Sequence, residues 1–161
     1  MPGTDHALVG KDISTRIAMP PLRFYSTPRP WTERRVALGG VRLRVLIVDD
    51  NRDGADALTV YLSLHDIDCQ AVYGGRDAIA LGTTWLPHIV LMDISMPECD
   101  GYEAARALRQ APHTANTLIV AHTALDESEV RRKIVDDEFD GYLQKGRGTG
   151  QIVALIARLT H

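Results

Sequence analysis

The chain is poor in cysteine. Cys69 and Cys99, the only two among 161 residues, are too few and too far apart for a disulfide framework or a paired Cys-x-x-Cys metal or redox site. Both read as reduced thiols. Long apolar runs are also missing. Nothing approaches the roughly 20 residues of a membrane-crossing helix, and the N-terminus lacks the continuous apolar stretch of a secretory leader. A cytoplasmic chain without membrane insertion is expected. Nor is there an excess of charge of one sign. With 18 Lys+Arg against 21 Asp+Glu and few clustered basic residues, nucleic acid is not the expected partner of the folded part.

What is present suits one compact domain with a modest extension, since 45% of residues are apolar and 24% charged. Residues 1–40 hold five of the eight prolines, six Lys/Arg against three Asp/Glu, and no sustained hydrophobic period. They read as a disordered or loosely attached arm, and residues 41–161 as the domain. Two readings of the arm stand side by side. Its positive charge, opposite in sign to that of the domain, makes it an electrostatic tether to an acidic or lipid surface; or it is a solvated tail, with the functional start nearer Val41.

From Val41 onward short apolar runs alternate with helical periods. Val45-Leu46-Ile47-Val48, Ile89-Val90-Leu91-Met92 and Leu118-Ile119-Val120-Ala121 are continuous enough for strands buried on both faces. Asp68–Tyr73 and Gly141-Tyr142-Leu143 supply two more. Between them, apolar residues recur at helical spacing. Ala55, Leu58 and Leu62 follow a cap at Asn51 or Asp53; Ala78, Leu81 and Trp85 precede Pro87; Ala104, Ala105 and Leu108 follow an Asp100/Glu103 capping box. A fourth helix is expected from about Asp126 to Asp137, and a fifth carries Ile152, Leu155, Ile156 and Leu159 behind a Thr149 cap. Five such units predict an α/β fold: a parallel five-stranded sheet with right-handed crossovers and helices on both faces.

In an open parallel sheet, ligands bind beyond the carboxyl ends of the strands. Here those ends carry Asp49 and Asp50, Asp93, Thr123 and, two residues after Leu143, Lys145. Three carboxylates together repel unless a cation neutralises them, and an oxygen-only set favours Mg²⁺ over zinc. A lysine and a hydroxyl beside the metal suit a phosphoryl group, with a carboxylate as its acceptor. Each residue alone admits a simpler role: Asp49-Asp50 as a helix-capping pair, Asp93 as a turn residue before Met96-Pro97, Thr123 as a strand-end residue, Tyr142 as a core aromatic.

At these residues the chain resembles the receiver domains of two-component response regulators. The resemblance is carried by Val45-Leu46-Ile47-Val48-Asp49-Asp50-Asn51, Val90-Leu91-Met92-Asp93-Ile94-Ser95-Met96-Pro97, Asp100-Gly101-Tyr102-Glu103, Ala121-His122-Thr123-Ala124 and Asp140-Gly141-Tyr142-Leu143-Gln144-Lys145, and it spans 43–160. It implies a flavodoxin-like doubly wound sheet of strand order 2-1-3-4-5. It also implies a phosphoacceptor at Asp93, fed by a sensor histidine kinase or phosphotransfer protein. Mg²⁺ would be held by Asp49, Asp50, Asp93 and the Ser95 backbone carbonyl. Thr123, the Ala124 N–H and Lys145 would contact the phosphoryl group. Thr123 and Tyr142 would then form a switch read by a protein partner on the surface of helix four, strand five and helix five. Because the chain ends with helix five, a single-domain regulator of chemotaxis type is expected, catalysing only its own phosphorylation and dephosphorylation.

Some features depart from that pattern. Gly146 stands where the family commonly has proline, predicting a trans linkage, a looser loop and a less firmly aimed Lys145. Glu138 replaces a frequent glycine, and Asp136-Asp137-Glu138 would crowd the negative end of helix four, with i,i+4 pairs in the poorer order and a marginal helix as the result. His122 is expected as a partly buried histidine rather than a ligand; Cys99 is either open to oxidants or an inert loop thiol. Two rivals are a pseudo-receiver that binds partners without phosphate and a Mg²⁺-dependent aspartyl-phosphate phosphatase. The second normally needs an Asp-x-Asp arrangement, which Asp49-Asp50-Asn51 lacks.

Overall fold

Alternate residues of a strand point to opposite faces of a sheet, so a continuous apolar run feeds two cores at once. A computed structural model describing residues 27–160 shows that division. From β1 (Arg44–Val48), Val45 and Ile47 enter one core while Leu46 and Val48 enter the other. β3 (Ile89–Met92) and β4 (Leu118–Thr123) divide in the same way. Shorter, less apolar β2 (Asp68–Val72) and β5 (Gly141–Gln144) form the edges. All pairings are parallel and the order is β2-β1-β3-β4-β5, as expected.

The first core is closed by α1 (Arg52–Ser63) and α5 (Thr149–Leu159), through Leu58, Leu62, Ile152, Leu155, Ile156 and Leu159. The second is closed by α2 (Gly75–Trp85), α3 (Gly101–Gln110) and α4 (Glu127–Lys133), through Ala78, Ala104, Ala105, Leu108 and Val130. Each fully buried Leu, Ile or Val contributes about 1.5–3 kcal/mol over its exposed state. The two layers therefore hold the sheet, and with it the polar strand ends, in place.

Several local expectations change. Asn51 caps α1 by accepting the Gly54 N–H, and Asp100 caps α3 by accepting that of Glu103. The full reciprocal box, however, is at α4, between Asp126 and Glu129. Thr149 does not cap α5; that position is Gly148, at φ 92°. α4 ends at Lys133 rather than near Asp137 because Phe139 must reach the core, where it meets Tyr102 edge-on at 6.0 Å. Buried Glu138 accepts the Val135 N–H and pairs with Arg106 at 3.5 Å. The left-handed residue of this turn is Asp137 (φ 47°), one place before the expected glycine position. The acids 136–138 thus lie past the helix end. Arg131, Arg132 and Lys133 occupy its last turn, and Glu127–Arg131 forms an i,i+4 pair in the favourable order.

The first 26 residues of the arm lie outside the described residues. Within residues 27–40, Trp31, Thr32, Arg34 and Val36 make specific contacts with the domain that follows Val41. Buried Val36 donates its N–H to the Leu159 carbonyl and forms a parallel bridge with Thr160, and Trp31 donates its N–H to the Asp140 carbonyl beside β5. Trp31 packs with the α4-side core and Val36 with the α5-side core, so the segment crosses the exposed edge of β5. Among the described residues no helix is long and apolar enough to cross a membrane.

Candidate functional site

Register builds the site. Pairing of Val48 with Met92 sets Asp49 and Asp93 side by side just beyond β1 and β3, and their N–H groups extend the ladders to the Val72 and Val48 carbonyls. Asp50 follows at the surface. Oxygens of Asp49, Asp50 and Asp93 all lie within 4.8 Å of one another. Asp49 and Asp93 are 6% and 4% exposed, little enough for their charges to be poorly solvated.

The Lys145 ammonium comes in from β5, with Nζ 2.7 Å from Asp49 Oδ2 and 3.0 Å from Asp93 Oδ2. Its N–H donates to the Thr123 carbonyl at 2.9 Å, tying the lysine's backbone to β4. The Lys145–Gly146 peptide is trans as expected, but the lysine is firmly aimed despite the missing proline. Gly146 sits at φ 83°, a value proline cannot adopt, so this loop takes a different path to the same contact.

Burial pushes the Asp93 carboxyl above the usual aspartate range, reinforced by the charge of Asp49 and opposed by Lys145 and by the Ile94 N–H that Asp93 accepts at 2.8 Å. Burial works to lower the Lys145 ammonium, but its bonds to Asp49 and Asp93 outweigh that and hold it above its ordinary value. Three carboxylates against one lysine leave a surplus of negative charge on oxygen donors, the environment a hard divalent cation fits.

Gly101 closes the site from below. A Cβ there would lie 2.2 Å from the Asp93 carbonyl oxygen and 2.8 Å from Ile94 Cα, so only glycine lets the start of α3 pack against the loop that follows β3. Ser95 is exposed on that loop. Buried Thr123 accepts the Leu125 N–H at its Oγ1, and Ala124 is exposed beside it. Half-buried Tyr142 donates its hydroxyl to the Leu125 carbonyl at 2.5 Å. Lys145 therefore touches Asp49 and Asp93 directly, with an Asp50 oxygen within 4.8 Å of theirs, while Thr123 and Tyr142 meet through the β4–α4 loop.

His122 stays outside the carboxylate cluster. Burial, helped by the charge of Lys145, lowers it to about 4, so it is a neutral imidazole near pH 7. Cys99 is not open to oxidants: it is buried, and burial pushes its thiol up.

Sequence reasoning missed Asp140 and the residues that meet it. Wholly buried Asp140 accepts from the Ile119 N–H, Arg109 Nη2 (2.6 Å), Arg34 Nη1 (2.8 Å) and Thr32 Oγ1 (2.5 Å). The available signal was a tryptophan and paired arginines in a proline-rich stretch otherwise short of apolar anchors.

A doubly wound sheet with three carboxylates and a lysine gathered at its carboxyl edge defines the class, a flavodoxin-like α/β domain with an acidic site at its strand ends. The family model described as the response regulator receiver domain matches residues 45–157, and the chain belongs to that family. Receiver domains are signalling domains of two-component systems rather than conventional enzymes. The response regulator GacA of Pseudomonas protegens is 34% identical over 119 residues, covering 71% of this chain and 54% of GacA. The DNA-binding dual master transcriptional regulator RpaA of Synechocystis is 27% identical over 116 residues, covering 72% of this chain and 48% of RpaA. The chain thus spans about half the length of these relatives. Among solved structures, the Vibrio cholerae chemotaxis protein CheY4 superposes with a TM-score of 0.67 at 21% identity, covering 73% of this chain and 98% of that one, a likeness of fold.

Proposed function

We propose that this chain is a cytoplasmic phosphoryl-accepting switch in a two-component relay, with Asp93 as the acceptor. The observation that carries the reading is the Lys145 ammonium held between Asp49 and Asp93, with Asp50 completing a carboxylate cluster at the strand ends.

In the proposed transfer an Asp93 carboxylate oxygen forms a bond to phosphorus while the bond from phosphorus to a histidine nitrogen of a sensor kinase or phosphotransfer protein breaks. The leaving nitrogen takes up a proton. Asp49, Asp50, Asp93 and the Ser95 carbonyl would hold Mg²⁺, which supplies positive charge to the phosphoryl oxygens when bound. Lys145 is already hydrogen-bonded to the acceptor and stabilises the charge that arrives. Thr123 and the Ala124 N–H receive the remaining phosphoryl oxygens. To do so, Thr123 Oγ1 gives up the Leu125 N–H, loosening the loop whose carbonyl Tyr142 holds. The remodelled surface of α4, β5 and α5 is what a protein partner reads. The same groups promote attack of water on the acyl phosphate, so the chain acts on itself only.

Intact mass after incubation with Mg²⁺ and acetyl phosphate tests the reading. One added phosphoryl group, dependent on Mg²⁺ and absent from Asp93→Asn, is expected. No addition to folded protein at saturating Mg²⁺ would make the chain a phosphorylation-independent binding module.

A further inference from the structure

The surface assigned above to a partner is already occupied. Trp31 stacks on Tyr142 with ring centroids 6.0 Å apart and planes inclined by 10°. Its indole N–H donates to Glu127 of α4 at 3.2 Å, and the Arg131 guanidinium lies 3.9 Å from its ring centroid. One aromatic side chain thereby engages both α4 and β5. Pro28 and Pro30 flank the approach and restrict its backbone before docking, which lowers the entropic cost of binding. Beyond Trp31 the segment is pinned twice more, by Thr32 and Arg34 on Asp140 and by Val36 on the end of α5.

We propose that residues Thr27–Val36 are a tethered ligand of the α4–β5–α5 face, competing with the downstream partner, and that phosphorylation of Asp93 frees the Trp31 end. The inference rests on the phosphoacceptor reading of the preceding subsection. The route is short. Thr123 Oγ1 accepts the Leu125 N–H, the Leu125 carbonyl accepts the Tyr142 hydroxyl, and the Tyr142 ring carries Trp31. Drawing Thr123 toward a phosphoryl group disturbs the loop that positions Tyr142, and Trp31 cannot keep both its stack and its Glu127 bond if that ring turns. Val36 is anchored in the core on the other side of β5 and stays. Release is therefore a local opening, and the tether keeps the indole at millimolar effective concentration for recapture. A partner reads the face only once phosphorylation has weakened this internal competitor, which lowers output from the unphosphorylated chain.

Hydrogen exchange of the full wild-type chain tests this without any substitution, since the Trp31 amide is bonded to Asp140 and the Val36 amide to Leu159. Acetyl phosphate with Mg²⁺ is the probe, and intact mass of the same sample gives the extent of phosphorylation. Acrylamide quenching of Trp31 fluorescence in a Trp85→Phe background, where Trp31 is the sole tryptophan, gives a second readout. The expected result is severalfold faster exchange at Trp31 and severalfold stronger quenching in the phosphorylated fraction, with Val36 still protected and Asp93→Asn unchanged. Phosphorylation proved by mass with no change at Trp31 overturns this inference and leaves the phosphoacceptor reading standing. A Trp31 as exposed as free tryptophan before phosphorylation also overturns it. Absence of any mass gain overturns both.

Discussion

Asp140→Ala isolates the interaction that joins the N-terminal segment, α3 and the edge of the sheet. In the wild type this wholly buried carboxylate meets Arg109, whose side chain is only 12% exposed, and Arg34, which is 34% exposed. Alanine leaves Arg109 as a buried guanidinium without its carboxylate and removes the acceptor of the Ile119 N–H inside the sheet. Breaking one side of a buried ion pair costs about 3–5 kcal/mol, and an orphaned N–H about 1–3 kcal/mol; the two losses overlap, so about 3–5 kcal/mol is expected in total. Domains of this size are stable by about 5–15 kcal/mol, so the variant should be close to unfolding. Arg34→Ala is the matched comparison. It leaves Arg109 on Asp140 and removes a partly solvated pair, for which about 1 kcal/mol or less is expected. Urea unfolding of both full-length variants, followed by far-UV circular dichroism with unchanged slope, measures the difference. An Asp140→Ala loss below about 1 kcal/mol would instead mean that the buried Arg109 charge is tolerated without its partner.

Gly101→Ala should cost about 1–3 kcal/mol and slow phosphoryl uptake, because the new Cβ displaces the Asp93 backbone, whereas Gly150→Ala, which has open space around it, should be harmless. Urea unfolding and the rate of mass gain with acetyl phosphate check both effects. Gly146→Pro, which introduces the residue commoner in the family, should destabilise by more than about 1 kcal/mol, since φ 83° is closed to proline; an unchanged urea midpoint contradicts this. His122 is lowered from 6.5 to about 4, so protons bind the unfolded chain more tightly. The stability it supports is complete above about pH 6.5 and falls, by up to about 3 kcal/mol, as pH drops toward 4. His122→Leu in magnesium-free buffer should flatten that acid limb, and an identical limb in the two proteins would contradict the assignment.

How much was legible in the sequence follows from the range of the interactions involved. The strands could be read because each apolar run serves two cores, and the charged site because each of its residues stands at or just beyond a strand end, where topology gathers them. Strand order could not be read from periodicity, because it depends on pairings between distant segments; it came from resemblance. The end of α4 was misplaced because burial of Phe139 and Glu138 overrides local helical preference. The docking of Trp31, Thr32 and Arg34 was invisible for a similar reason. Their partners Glu127 and Asp140 lie 96 to 108 residues away, and a proline-rich basic stretch read locally has the composition of a tail.

Phosphate carried on Asp93 has a direct chemical signature. Borohydride reduction of the intact phosphoprotein, which converts a phosphorylated aspartate to homoserine, followed by peptide sequencing, reads it most directly. Homoserine is expected at position 93 alone, only when Mg²⁺ and phosphodonor were both present, with almost none in Lys145→Ala. Homoserine at Asp49 or Asp50, or at no position in protein that has gained a phosphoryl group, would contradict Asp93 as the acceptor.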